Sequence, residues 1–91
     1  MQVYGNPAEI RQLVRNIFQR HGVGSAALSQ LQETLLVREG ICYGRSYRAG
    51  PLMAMWMSTV GLVQFYSADG QLLDCVSVLE LRHSEPKRQA A

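Results

Sequence analysis

Tyr43-Gly44-Arg45-Ser46-Tyr47-Arg48 is the stretch of this chain best equipped for chemistry. On a β-strand successive side chains alternate, so Tyr43, Arg45 and Tyr47 would share one face and Gly44, Ser46 and Arg48 the other. Aromatic rings interleaved with a guanidinium can stack bases and contact phosphates, which is how single-stranded nucleic acid is gripped. The same alternation also arises in ordinary cross-strand packing, with Arg stems lying over Tyr rings. Arg11 and Arg15, one helical turn apart, would extend the basic surface. Tyr43, Arg45, Tyr47, Arg48, Arg11 and Arg15 are therefore the candidate contacts for a nucleic acid or another anionic ligand.

A second cluster is Met53, Met55 and Met57 on one strand face, with Leu52, Ala54 and Trp56 opposite. Methionine surfaces can serve as adaptable binding sites, but alternation of this kind also makes a flexible-sided core face. No catalytic constellation accompanies either cluster. His21 sits at a helix end and His83 near the C-terminus, and Ser46, Ser58, Ser67 and Ser77 lack the strand-to-helix turn of an activated nucleophile. Gly22-Val23-Gly24-Ser25 follows a helix rather than a strand, so it is not a dinucleotide loop. Cys42 and Cys75 have neither C-x-x-C spacing nor a nearby His, and are expected as small core or strand residues, not as a disulfide. The expected protein is not an enzyme and carries no cofactor or metal.

The elements that must position these residues follow from spacing. Asn6-Pro7-Ala8-Glu9 is a helix start, with Asn as cap and Pro at the first helical position. Ile10, Leu13, Val14, Ile17 and Phe18 then form one apolar stripe, predicting an amphipathic helix from Pro7 to His21, with Gly22 available to end it. Val23 to Gln32 reads as a connector pinned to the core by Leu28 and Leu31. Beyond it, Gly40, Gly50, Gly61 and Gly70 recur at turn-like tetrapeptides, each turn being read as type I closed by a glycine at positive φ. Between them lie five strand candidates: Thr34–Arg38, Ile41–Arg48, Leu52–Ser58, Leu62–Tyr66 and Gln71–Leu79.

The expected fold class is α+β, one N-terminal amphipathic helix packed on a four- to five-stranded antiparallel β-meander. Residues 1–83 would form this single domain, after a poorly tied lead-in at Met1–Gly5, and residues 84–91 a disordered tail. The expected core is Ile10, Leu13, Val14, Ile17, Phe18, Leu35, Val37, Trp56, Val63, Phe65 and Leu73. Ninety-one residues with 47% hydrophobic and 18% charged composition suit one folded domain with one modest core. The net charge of +2 is too small to name a partner, and the basic residues fall toward the two ends of the chain. No apolar run reaches the ~20 residues of a membrane span, and the first residues lack a secretory pattern, so the expected compartment is cytoplasmic.

Glu33-Thr34-Leu35-Leu36-Val37-Arg38-Glu39-Gly40, then Gly44-Arg45 with its flanking Tyr43 and Tyr47, then Trp56, then Phe65-Tyr66-Ser67-Ala68-Asp69-Gly70 resemble a pattern shared by a set of small uncharacterised bacterial proteins. The likeness covers roughly Glu33 to Leu73, with mild departures at Val37, Glu39 and Ser67. It implies the meander and brings no activity with it. Gly40, Tyr43, Arg45, Arg48 and Gly50 carry a fainter resemblance to short hemin-uptake type proteins, one residue out of register.

Two functional classes follow. The first is a non-enzymatic protein-interaction or assembly module, a homodimer or the partner of another protein, meeting it through an apolar sheet face or edge. The second is a nucleic-acid or anionic-ligand binder using the Arg/Tyr face. One helix about 10 Å wide cannot cover both faces of a sheet roughly 20 Å across. Either residues 23–32 fold over the second face, or a second copy of the chain does.

Overall fold

The computed structural model describes residues 5–78. Within them, α1 (Pro7–Arg20) is followed by α2 (Ser25–Leu28) and by five strands: β1 (Gln32–Arg38), β2 (Ile41–Ala49), β3 (Leu52–Met57), β4 (Leu62–Tyr66) and β5 (Leu72–Ser77). The strands pair antiparallel in the order β1-β2-β3-β4-β5, so the fold is an α+β meander with an N-terminal helix, as the spacing predicts. Most of the expected lead-in, the end of the expected last strand at Leu79, His83 and the tail at residues 84–91 lie outside the described residues.

The ends of α1 are set by local chemistry. The Asn6 side-chain oxygen accepts from the Ala8 N–H at 2.9 Å, satisfying one of the free donors of the first turn. At the other end Gly22, at φ 93°, lets the chain reverse. Its N–H bonds the Gln19 carbonyl and the Val23 N–H bonds the Phe18 carbonyl, both at 3.0 Å. These are the paired bonds of a Schellman terminus, and Val23 and Phe18, the two positions that such a terminus commonly brings together, are both buried in the core.

Gly40, Gly50, Gly61 and Gly70 all have positive φ, as their spacing predicts. The first turn differs from the expected type I geometry. Glu39, at φ 54°, joins Gly40, at φ 78°, in the left-handed region. Two central residues at positive φ match the right-handed twist of a two-residue hairpin, which explains why Arg38 pairs directly with Ile41.

All of the described core lies on one side of the sheet. Along β3, Leu52, Ala54 and Trp56 are buried and Met53, Met55 and Met57 only half so. The register extends that division into cross-strand rows. Glu33, Tyr47, Ala54, Phe65 and Asp74 form one row on the core face, and Leu35, Arg45, Trp56, Val63 and Val76 form the next. Ile10, Val14, Ile17 and Phe18 of α1 pack onto these rows, with Phe18 meeting Phe65 edge to face at 6.0 Å between ring centroids. Val23 and Leu28 join the same cluster. The connector therefore packs on the side already covered by α1, and does not fold across the second face.

Three expected core residues are corrected. Leu35, Val37 and Leu73 are 54%, 56% and 38% exposed. For Leu35 and Val37 the reason is reach, since α1 lies over β3 and β1 extends past its flank; Leu73 is skipped by the β4–β5 register, which pairs Phe65 with Asp74 and Tyr66 with Leu72, so a bulge breaks its alternation. Leu13 and Leu31 pack against the core while remaining only partly buried. Cys42 and Cys75 are strand residues as expected, but exposed and unbridged rather than in the core.

Ile17→Ala should lower the free energy of unfolding by about 2 to 5 kcal/mol in urea denaturation, through the cavity it leaves. Two glycine replacements should separate crowding from backbone strain. A Cβ on Gly44 would collide with the Trp56 backbone carbonyl, whereas one on Gly70, at φ 86°, would meet no atom within 4 Å. Gly70→Ala should cost about 1 kcal/mol or more from strain alone, and Gly44→Ala clearly more. Equal urea midpoints for the two variants would contradict the close approach at Gly44.

Candidate functional site

The structure gathers three of the six candidate residues around an acid that sequence spacing does not single out. Glu33, on β1, sits directly opposite Tyr47 on β2, with Arg45 two residues away on the same face. Arg11 Nη2 donates to Glu33 Oε1 at 2.8 Å and Arg45 Nη1 to Glu33 Oε2 at 3.0 Å. Arg11 Nε also donates to Oε1, at 3.1 Å. One carboxylate thus ties α1, β1 and β2 together. Glu33 is 22 residues from Arg11 and 12 from Arg45, so no helical or strand period could reveal the cluster.

Tyr47 is completely buried beside this cluster. Its hydroxyl approaches Glu33 without completing a hydrogen bond. Burial, and then the Glu33 charge, push its phenol well above the usual range. A ring enclosed in this way cannot stack on a ligand.

The other three candidates lie apart. The β1–β2 register skips Tyr43, pairing Leu36 with Gly44 and Val37 with Cys42, so a bulge interrupts the strict alternation at that residue. Arg38 stacks on the Tyr43 ring at 5.4 Å. Arg48 lies on the opposite face from Arg45 and Tyr47, its Nη2 at 3.8 Å from the Met53 sulfur. Arg15 stands one turn beyond Arg11 on α1. The candidate Arg/Tyr face is therefore two places: a clamp in which two guanidiniums share the single carboxylate of Glu33, and a single cation at the margin of the methionine face.

Electrostatics at the clamp are those of a fixed ion pair. Burial pushes Glu33 up, but hydrogen bonds from Arg11 and Arg45 outweigh it and hold the carboxyl below its ordinary value. Hydrogen bonding to Glu33, then its charge, raises Arg11 in turn. Asp69 is also held below its usual value, first by the Ser67 hydroxyl that hydrogen-bonds it in the β4–β5 turn. A general acid at neutral pH needs the opposite shift. Among the described residues no three His, Cys, Asp or Glu side chains gather to hold a metal ion, and no helix is long and apolar enough to cross a membrane. A shallow cleft of about 310 Å³ lies between the β2–β3 and β4–β5 turns, where Arg48 is the charged lining residue beside Pro51, Met53 and Ser67.

The open face is built from three further rows. Gln32, Arg48, Met53, Tyr66 and Leu72 form one; Thr34, Ser46, Met55, Gln64 and Cys75 the second; Leu36, Gly44, Met57, Leu62 and Ser77 the third. Tyr66 donates its hydroxyl hydrogen to Gln64 Oε1 at 2.9 Å. These rows contain no carboxylate and one cation. Comparison with protein-family models, curated proteins and solved structures finds no match to this chain.

A depressed carboxyl contributes stability that is complete above its unfolded value, 4.5 for glutamate here, and is lost as pH falls through the lower folded value. Wild-type urea midpoints should therefore fall from neutral pH to about pH 3 more steeply than those of Glu33→Gln. Parallel pH profiles for the two proteins would show that Glu33 is not held in its charged form by Arg11 and Arg45.

Proposed function

We propose that this chain is a non-enzymatic assembly module, which pairs with a second copy of itself through sheet surface that α1 leaves uncovered. The observation that carries the reading is the one-sided core. Met53, Met55, Met57, Leu62 and Tyr66 form rows with no second layer over them among the described residues, and both Val23 and Leu28 are committed to the other side. Apolar surface left in this way is commonly buried at interfaces, and two-fold pairing is the commonest solution for identical chains.

The anionic-ligand alternative has less support. Arg11 and Arg45 already share Glu33, Tyr47 is enclosed, and Arg48 stands on the other face. A phosphate-binding surface needs cations that converge and remain free to release counterions.

Light scattering of the purified chain at tens of micromolar should give twice the chain mass, with little change between low and high salt, because apolar burial drives the association. A monomeric mass that persists at tenfold higher concentration would contradict the proposal. A dimer that dissociates steeply with added salt would point instead to charge as its basis.

A further inference from the structure

We infer that Met53, Met55 and Met57 are sites of sulfoxide formation, and that their oxidation by a peroxide releases the paired chains; this rests on the self-association proposed above. Methionine is confined to one side of the described fold. The core cluster is built from Ile, Val, Leu, Phe, Tyr, Trp and Ala and holds no thioether. The three methionines alternate with the buried residues of β3 and stay half-exposed on the open face. An oxidant therefore reaches that face and leaves the core alone.

Each event transfers one oxygen atom. The thioether sulfur attacks a peroxide oxygen, the S–O bond forms as the O–O bond breaks, and the remainder of a hydrogen peroxide molecule leaves as water. Sulfur gives up two electrons and the peroxide takes them. A flexible apolar side chain becomes a polar one, and a weak hydrogen-bond acceptor becomes a strong one. At Met53 the donor for the new oxygen is already in place, because Arg48 Nη2 stands 3.8 Å from its sulfur and the two residues are direct cross-strand partners. No carboxylate in these rows competes for that guanidinium. Met57 differs. It lies between Gly44 and Leu62, neither of which has a side-chain donor, so its sulfoxide depends on water and resists burial under a second copy. Oxidation thus leaves the single chain folded and penalises the pair.

The test uses the full chain with Cys42→Ser and Cys75→Ser, treated with hydrogen peroxide. Peptide mass spectrometry should find sulfoxide at all three positions, forming faster in the dilute monomer than in the paired chain, because pairing covers the same sulfur atoms. Light scattering should give the single-chain mass after oxidation, where the untreated protein gives twice that mass. Methionine sulfoxide reductases should restore the pair. The urea midpoint of the dilute monomer should not change on oxidation. Replacement of all three by leucine (Met53→Leu, Met55→Leu, Met57→Leu) should keep the pair and make it indifferent to peroxide. If the parent pairs and its fully oxidised form pairs equally well, the switch is overturned while self-association stands. Peroxide-driven dissociation of the leucine variant, or a midpoint that collapses when the monomer is oxidised, would also overturn it. A parent that is monomeric throughout overturns both readings.

Discussion

One α-helix can shield only one side of a sheet this wide, and the rest of the structure depends on that limit. The residues divide accordingly. Trp56, Tyr47, Phe65 and Val63 turn toward α1 and are excluded from water, while the residues between them along the same strands face away. Ala54 is fully buried among these larger side chains, giving the core face a small residue beside Phe65. Because α1 lies over β3, the flanking strand β1 keeps its apolar side chains exposed. The uncovered surface is thus a consequence of having one long helix for five strands.

The Glu33 clamp is where this constraint meets the charge pattern. A guanidinium beside an apolar core needs a partner, and Glu33 supplies one to Arg45 from the sheet and another to Arg11 from the helix. Two cations are thereby fixed at the margin of the core, joining α1 to an outer strand whose Leu35 and Val37 stay exposed. The same contacts occupy both guanidiniums with one carboxylate, so that in three dimensions Arg11 and Arg45 fasten one layer to the other.

Local signals made much of this fold legible. The Asn6-Pro7 start, the stripe from Ile10 to Phe18 and the glycines at 40, 50, 61 and 70 each act within a few residues, and the structure agrees with them. Period-two reasoning also separated Met53, Met55 and Met57 correctly from Leu52, Ala54 and Trp56. It assigned a face to Leu35 and Val37, but the span covered by α1 is a property of packing, and so their exposure was not readable. The bulge at Tyr43 was equally hidden, because alternation gives no sign of where one residue is skipped. Of the candidate site, Arg11 and Arg45 were identified and their shared acid was not. Sequence order carries no trace of a contact between a helix and a strand this far apart.

The most direct measurement of the one-sided core is attenuation of side-chain methyl NMR signals by a soluble paramagnetic probe, at a dilution where the chain is monomeric. The account predicts strong attenuation at Met53, Met55 and Met57 and little at Ile10, Val14 and Ile17, because the core lies beneath α1 and nothing among the described residues covers the methionine face. Methionine methyls protected as fully as Ile17 would contradict it, since some layer would then have to cover the second face of the sheet.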